Sequence, residues 1–303
     1  MHHAESDFLK NLKKIASRAI LVQQDSLKTL SVKEGCRFKR AVFHVKQPPL
    51  KGGSVLKCFM HEENDIVARE RASKEAKLAE WASRGKIGAP VLWTIMFPDT
   101  TILAMSAAMG DLEGLLRSCQ HLSYTLIKDL FAQAFRLATH DTLLSRGLVC
   151  ADLKPANFLL YLREKTSCIA CDLAAVIKRG GNLTKDGALD LRLVDFDPFF
   201  WSKTCKKDAR RLNEFFLLAN SVLWKAPYQL GAYFPDDAVK MASAVKARDP
   251  SLLKLLEKHP RILHKGPFHY SKLPSDGADS LEALLASVTE ALVAHGFFSA
   301  KAS

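Results

Sequence analysis

The sequence predicts an α+β fold in which a strand-rich first third precedes a mostly helical remainder. Two observations predict it. Residues 27–60 break into three short runs of strand character separated by polar or Gly/Pro-rich turns, the layout of an antiparallel meander. From residue 123 onward apolar residues recur at helical spacing, interrupted by strand-like runs at Phe158–Tyr161 and Leu191–Val194. At 303 residues the chain is long enough for a substantial core and for two lobes or domains.

Residues 5–24 read as a basic amphipathic helix, with Lys10, Lys13, Lys14 and Arg18 set along Phe8, Leu12, Ile15 and Ile20. Acidic Glu5 and Asp7 argue against a transit peptide, so the helix is expected to pack on the sheet. Strands follow over Leu27 to Val32, over Arg37 to Val45 (alternating around Phe38, Ala41 and Phe43), and, after the turn Gln47–Gly53, over Ser54 to Met60. Glu63 to Arg84 is helical, Val91–Phe97 and Thr101–Met105 form a hairpin around Pro98-Asp99, and Asp111 caps a short helix over Leu112–Leu116. Ser123 opens a long helix to about Ser145, which Gly147 ends. Residues 162–190 are an excursion of mixed composition. Helices then cover Lys206 to Leu223 and, roughly, 235–247, 250–258 and 280–294.

Composition narrows the function classes. Hydrophobic content of 48% and charged content of 25% suit a soluble globular protein, and no apolar run is long enough to span a bilayer. The first residues lack the basic-then-apolar layout of a secretory leader. Seven cysteines, an odd number and mostly isolated, imply reduced thiols and an intracellular, cytoplasmic setting. The lone Cys168–Cys171 pair has no second pair to complete a zinc site. A net charge of +12 is scattered along the chain, without an Arg-rich tail. It is expected to attract an anionic ligand or acidic partner rather than nucleic acid.

The chemistry concentrates in Cys150-Ala151-Asp152-Leu153-Lys154-Pro155-Ala156-Asn157, which sets a carboxylate, an ammonium and a carboxamide at i, i+2 and i+5 before an apolar strand. Further on, Asp195-Phe196-Asp197 closes a second apolar strand. Hard oxygen ligands beside a lysine suit Mg²⁺ and a polyphosphate, with a hydroxyl oriented for in-line attack.

The first segment resembles the catalytic loop of the protein kinase-like superfamily, in its Ser/Thr-type D-L-K-P-x-N form, and Asp195-Phe196-Asp197 resembles that family's DFG metal signature with Asp in place of Gly. The resemblance covers roughly residues 27–225. It implies a two-lobed fold with a small β-sheet-plus-helix N-lobe and a mostly helical C-lobe. The corresponding boundaries are a helical extension over 1–26, an N-lobe over 27–105, and a C-lobe over 106–303 carrying the insertion near 162–190. The resemblance also implies ATP and Mg as cofactors. Asp152 would accept or orient the proton of the attacking hydroxyl, and Lys154 would steady the γ-phosphoryl group. Asn157 and Asp195 would hold Mg²⁺. Val55-Leu56-Lys57-Cys58 is similar to the V-A-I-K strand, so Lys57 would grip the α/β-phosphates while a helix carboxylate holds it. Glu75 best fits that place, with Glu70 and Glu80 as fallbacks. Ser106–Gly110 would be the hinge, with Met105 and Ala107 next to adenine.

The sequence departs from the family's pattern in several places. Cys150 and Ala151 stand where His and Arg are usual. Asp197 replaces a glycine that supplies backbone freedom and adds a carboxylate near the metal; Asp tolerates φ > 0 better than most residues. Lys33-Glu34-Gly35 offers one glycine where a phosphate-covering loop uses several. No long activation segment follows Asp197, and Asp208 is expected to take the place of the acidic residue that opens the C-lobe core helix. The implied function is an ATP- and Mg-dependent phosphotransferase acting on a protein Ser/Thr hydroxyl. The alternatives are a pseudokinase, binding nucleotide or scaffolding without turnover, and a small-molecule kinase of the aminoglycoside/choline phosphotransferase type. The strip Lys203, Lys206, Lys207, Arg210 and Arg211 reads as a solvated helix face or as an anionic-substrate contact.

Overall fold

The computed structural model describes residues 7–34, 39–45, 53–61, 64–118, 124–162 and 189–223. Gly35, the turn at 46–52, Ser123, nearly all of the 162–190 excursion and the helices expected beyond Pro227 lie outside the described residues. The protein is α+β, with an antiparallel sheet and several helices, and it divides into two compact units. Among the described residues the first unit runs to Met109 and takes in Asp195–Asp197; the second holds the rest.

In the first unit, α1 (Asp7–Ala19) precedes β1 (Leu27–Glu34), β2 (Lys39–Val45) and β3 (Ser54–Met60). Next come α2 (Ile66–Arg84), β4 (Val91–Met96) and β5 (Thr100–Ser106). The strands form one five-stranded sheet in the order β1-β2-β3-β5-β4, every pair antiparallel. Period-2 alternation sorts their side chains between the two faces. Ala41, Phe43, Leu56, Cys58, Ile102 and Ala104 turn to the face where α1 lays Phe8, Leu12 and Ala16, all in one buried cluster. Burial there pushes the Cys58 thiol far above its ordinary pKa, so it stays protonated as a small apolar group. The opposite face of β2 and β3 carries Arg40, Lys57 and Phe59.

Helix α2 begins at Asp65, whose Oδ1 accepts the N–H of Ala68 at 2.9 Å, and ends at Gly85. Its buried stripe is Ala68, Ala72, Ala76, Ala79 and Ala82, with Glu75 set among them. Small side chains let the helix axis come close to β4 and β5, which it contacts.

In the second unit, the two-residue strand β6 (Gly110–Asp111) leads into α3 (Leu112–Ser118), and the Asp111 Oδ1 accepts the N–H of Gly114 at 2.7 Å. The long helix expected to reach Ser145 is broken. Helix α4 (Tyr124–Ala138) stops where the Thr139 hydroxyl bonds back to the Phe135 carbonyl at 2.9 Å. His140 then caps the short α5 (Asp141–Leu144) through Nδ1 to the N–H of Thr142. Gly147 turns the chain at φ +63 into β7 (Leu148–Cys150). A Cβ at 147 would stand 1.9 Å from the Thr204 carbonyl oxygen, so only glycine fits.

Strands β8 (Phe158–Leu162) and β9 (Leu189–Leu193) pair antiparallel beside β6. The edge of β9 is satisfied by α4, where the Gln133 amide donates to the Leu189 carbonyl at 3.2 Å and accepts the Leu191 N–H at 3.3 Å. One side chain therefore supplies a rung that a neighbouring strand would have made. Beyond Asp197, β10 (Trp201–Lys203) pairs antiparallel with β7, and α6 (Lys206–Leu223) packs against β7 and α4. No helix among the described residues is long and apolar enough to cross a membrane.

Candidate active site

Lys57 sits on β3, between β2 and β5, opposite Val42 and Leu103. It lies in the middle of the sheet and is 8% exposed, so its ammonium is not a solvated edge charge. The Nζ donates to Glu75 Oε1, and at 2.7 Å to Asp195 Oδ1. Arg40, buried on the neighbouring strand, reaches the same Asp195 oxygen at 3.2 Å. Of the other two helix glutamates, Glu70 lies exposed beside Lys74, and Glu80 is half-buried.

Glu75 is 1% exposed, and burial raises its pKa above the ordinary glutamate value. The Lys57 ammonium pulls the other way, Asp197 and Asp195 add to the rise, and Arg40 opposes it. Its Oε2 is buried and has no hydrogen-bond partner among the described residues.

Asp195 has φ 65, in the left-handed region that Asp tolerates better than most residues. The positive φ falls at Asp195 and not at Asp197. Asp197 differs from expectation in its chemistry. It is 1% exposed, and both its carboxylate oxygens are engaged by Arg71 of α2: Nε donates to Oδ1 at 2.8 Å and Nη2 donates to Oδ2. It is committed to a bidentate ion pair.

In the second unit, Asp152 is 4% exposed, and the Lys154 Nζ donates to both its oxygens, at 2.9 and 2.8 Å. Pro155 opens a single 3₁₀ turn that ends at Asn157. The Asn157 Nδ2 donates to the Asp152 carbonyl at 2.8 Å, so Oδ1 is the end this amide presents to a cation. The Asn157 carbonyl accepts the N–H of Val194 at 2.9 Å, and Val194 directly precedes Asp195 in the chain. No family model and no curated protein matches this chain.

What anchors the Asp152 loop is a residue that sequence reasoning missed. Asn213 of α6, fully buried, accepts the Cys150 N–H at 3.0 Å and donates to the Leu148 and Ala138 carbonyls, each at 3.0 Å. Asp208 lies in the first turn of the same helix, the place expected of it, and accepts a bond from the Cys205 thiol at 2.7 Å. An Asn inside an otherwise apolar helix stripe (Leu212, Phe215, Phe216) was the available signal. Ala151 donates its N–H to the Phe200 carbonyl at 2.9 Å, fixing the loop's entrance to the segment after Asp197.

The two residues expected beside adenine are already engaged within the first unit. Met105 pairs with Val55 and Val91 in the sheet, and the Ala107 N–H already donates to the Gly53 carbonyl at 3.2 Å. Of the basic strip, Lys203, Lys206 and Arg210 are exposed.

Among the described residues no group of three or more His, Cys, Asp or Glu could hold a metal. Asp195 in the first unit offers a carboxylate and Asn157 in the second a carboxamide oxygen, each of the hard oxygen type that Mg²⁺ takes. Lys57 and Arg40, held by carboxylates on a sheet face, suit a polyphosphate.

Proposed function

We propose that the protein is an ATP- and Mg²⁺-dependent phosphotransferase of two-lobed, protein kinase-like architecture, with a protein Ser/Thr hydroxyl as acceptor. One observation carries this reading. Lys57 is joined at once to Glu75, 18 positions away, and to Asp195, 138 positions away, a strand–helix–turn triad. Structural ion pairs usually need one partner. A buried lysine shared by two carboxylates is charge-matched for a ligand that is itself anionic and metal-bound.

The nucleotide supplies the reactive phosphoanhydride bond, and Mg²⁺ offsets the negative charge of its phosphates. Lys57, kept in place by Glu75, holds the α/β-phosphates. Asp195 and the Asn157 Oδ1 would hold the metal, each through a hard oxygen. An Asp152 carboxylate oxygen takes the proton from the acceptor hydroxyl, and Lys154, already on both oxygens of that group, balances charge as the phosphoryl group moves.

A specific observation favours a small-molecule acceptor as the second reading. After Asp197 the chain is tied into β10 by residue 201 and into α6 by residue 206, which leaves little backbone to dock a peptide. A nucleotide-binding scaffold without turnover is the third.

Thermal shift with ATP, with and without Mg²⁺, tests binding. Phosphoryl transfer to peptides and to small alcohols, compared with Asp152→Ala and Asp195→Ala, tests catalysis and the acceptor class. Stabilisation by MgATP and transfer by the parent alone are expected. Equal rates in parent and variants would overturn the enzyme reading.

A further inference from the structure

We infer that Arg71 and Asp197 form a positioning clamp that keeps Glu75 on Lys57. This deepens the proposed function and rests on it. Arg71 stands one helical turn before Glu75 on α2, so the two residues share a helix face. Asp197 stands two residues beyond Asp195 in the same short turn. The contacts close a ring. Lys57 holds Glu75; one turn of helix leads to Arg71; Arg71 holds Asp197; and Asp197 leads back through Phe196 to Asp195, which Lys57 also holds. Around the ring and its Arg40 neighbour, the cations Arg40, Lys57 and Arg71 balance the carboxylates Glu75, Asp195 and Asp197.

The geometry distinguishes a clamp from a loose ion pair. A guanidinium fork on a carboxylate makes two parallel bonds and so fixes orientation as well as distance. Asp197 is 1% exposed and the Arg71 side chain 22%, so salt screens the pair little. The clamp also explains why an acidic residue follows Phe196. With both oxygens on Arg71, Asp197 acts on the helix rather than on a metal. Arg71 and Asp197 are thus positioning residues that act through Glu75.

The test uses the full chain and two conservative variants. Arg71→Lys keeps the charge and loses the fork; Asp197→Asn keeps the shape and loses the charge. Each should raise the ATP KM at least about tenfold, the cost usual for partners that orient a ligand-binding group, with a smaller fall in kcat. Adding Arg71→Lys to Glu75→Gln should raise KM no further than Glu75→Gln alone, since the clamp works through Glu75. Multiplying effects, or an unchanged KM in both conservative variants, would overturn the clamp. Amide hydrogen exchange without nucleotide gives an independent arm. Residues 66–84 should exchange faster in Asp197→Asn, while those of α1 and α6 keep parent rates; parent-like exchange over 66–84 would overturn the clamp as well. If the parent binds no ATP, the phosphotransferase reading falls and the exchange arm alone decides the clamp.

Discussion

A carboxyl as buried as that of Glu75 resists ionisation, and its raised pKa has a direct consequence for stability. An unfolded glutamate releases its proton near pH 4.3, roughly, whereas the native one holds it to higher pH. Over that window the native state binds more protons than the unfolded state. Stability from this group is therefore complete below about pH 4.3 and is lost as pH climbs through the native value. Glu75→Gln removes the titration. The stability of the parent minus that of the variant should shrink between pH 4 and pH 7, as followed by urea unfolding at several pH values. A gap that widens with pH would mean that attraction to Lys57 outweighs burial. The Oε2 points the same way, because no hydrogen bond among the described residues reaches that oxygen.

At the scale of elements, Asn213 joins α4, β7 and α6, and replacing it tests how the Asp152 loop is held. Asn213→Asp can still accept the Cys150 N–H but cannot donate to the Leu148 and Ala138 carbonyls. With two buried acceptors left facing a carboxylate, it should cost about 3 kcal/mol or more in denaturant unfolding. A loss under about 1 kcal/mol would mean that the loop is anchored elsewhere. Gly147→Ala should be destabilising by a similar amount, because its Cβ would meet backbone that cannot swing away. These examples also show what the sequence could and could not disclose. Ser54–Met60 and Lys206–Leu223 lie where periodicity puts them, because each is long enough to show its own repeat. Lys57 and Asp195 were singled out by motif spelling, whereas Glu75 was placed only by its distance along the helix, with Glu70 and Glu80 still open. Strands β7 and β10, at three residues each, are too short to carry a period. The break after Ala138 turns on a Thr139 back-bond and a histidine cap, neither of which interrupts an apolar stripe. The Arg71–Asp197 pair spans 126 positions and leaves no local trace. Asn213 went unread because its one mark is burial, which the sequence does not print.

For the whole molecule, the proposed chemistry asks two compact units to serve one reaction, since Asp195 belongs to the first and Asp152 to the second. Kinetics can test that dependence directly. Groups that act together in one transition state are non-additive on removal, because once the first is lost the second has little left to do. Asp152→Ala and Asp195→Ala should each lower kcat by about 10³-fold or more, and the double variant should fall little below the weaker single one. Two independent roles would multiply instead, to roughly 10⁶-fold. The comparison must be made at constant ionic strength, because the net charge of +12 draws a polyanion to the protein as a whole, and salt weakens that attraction. With screening held fixed, losses that multiply would show the two aspartates acting in separate steps, and the phosphotransferase assignment would no longer account for both.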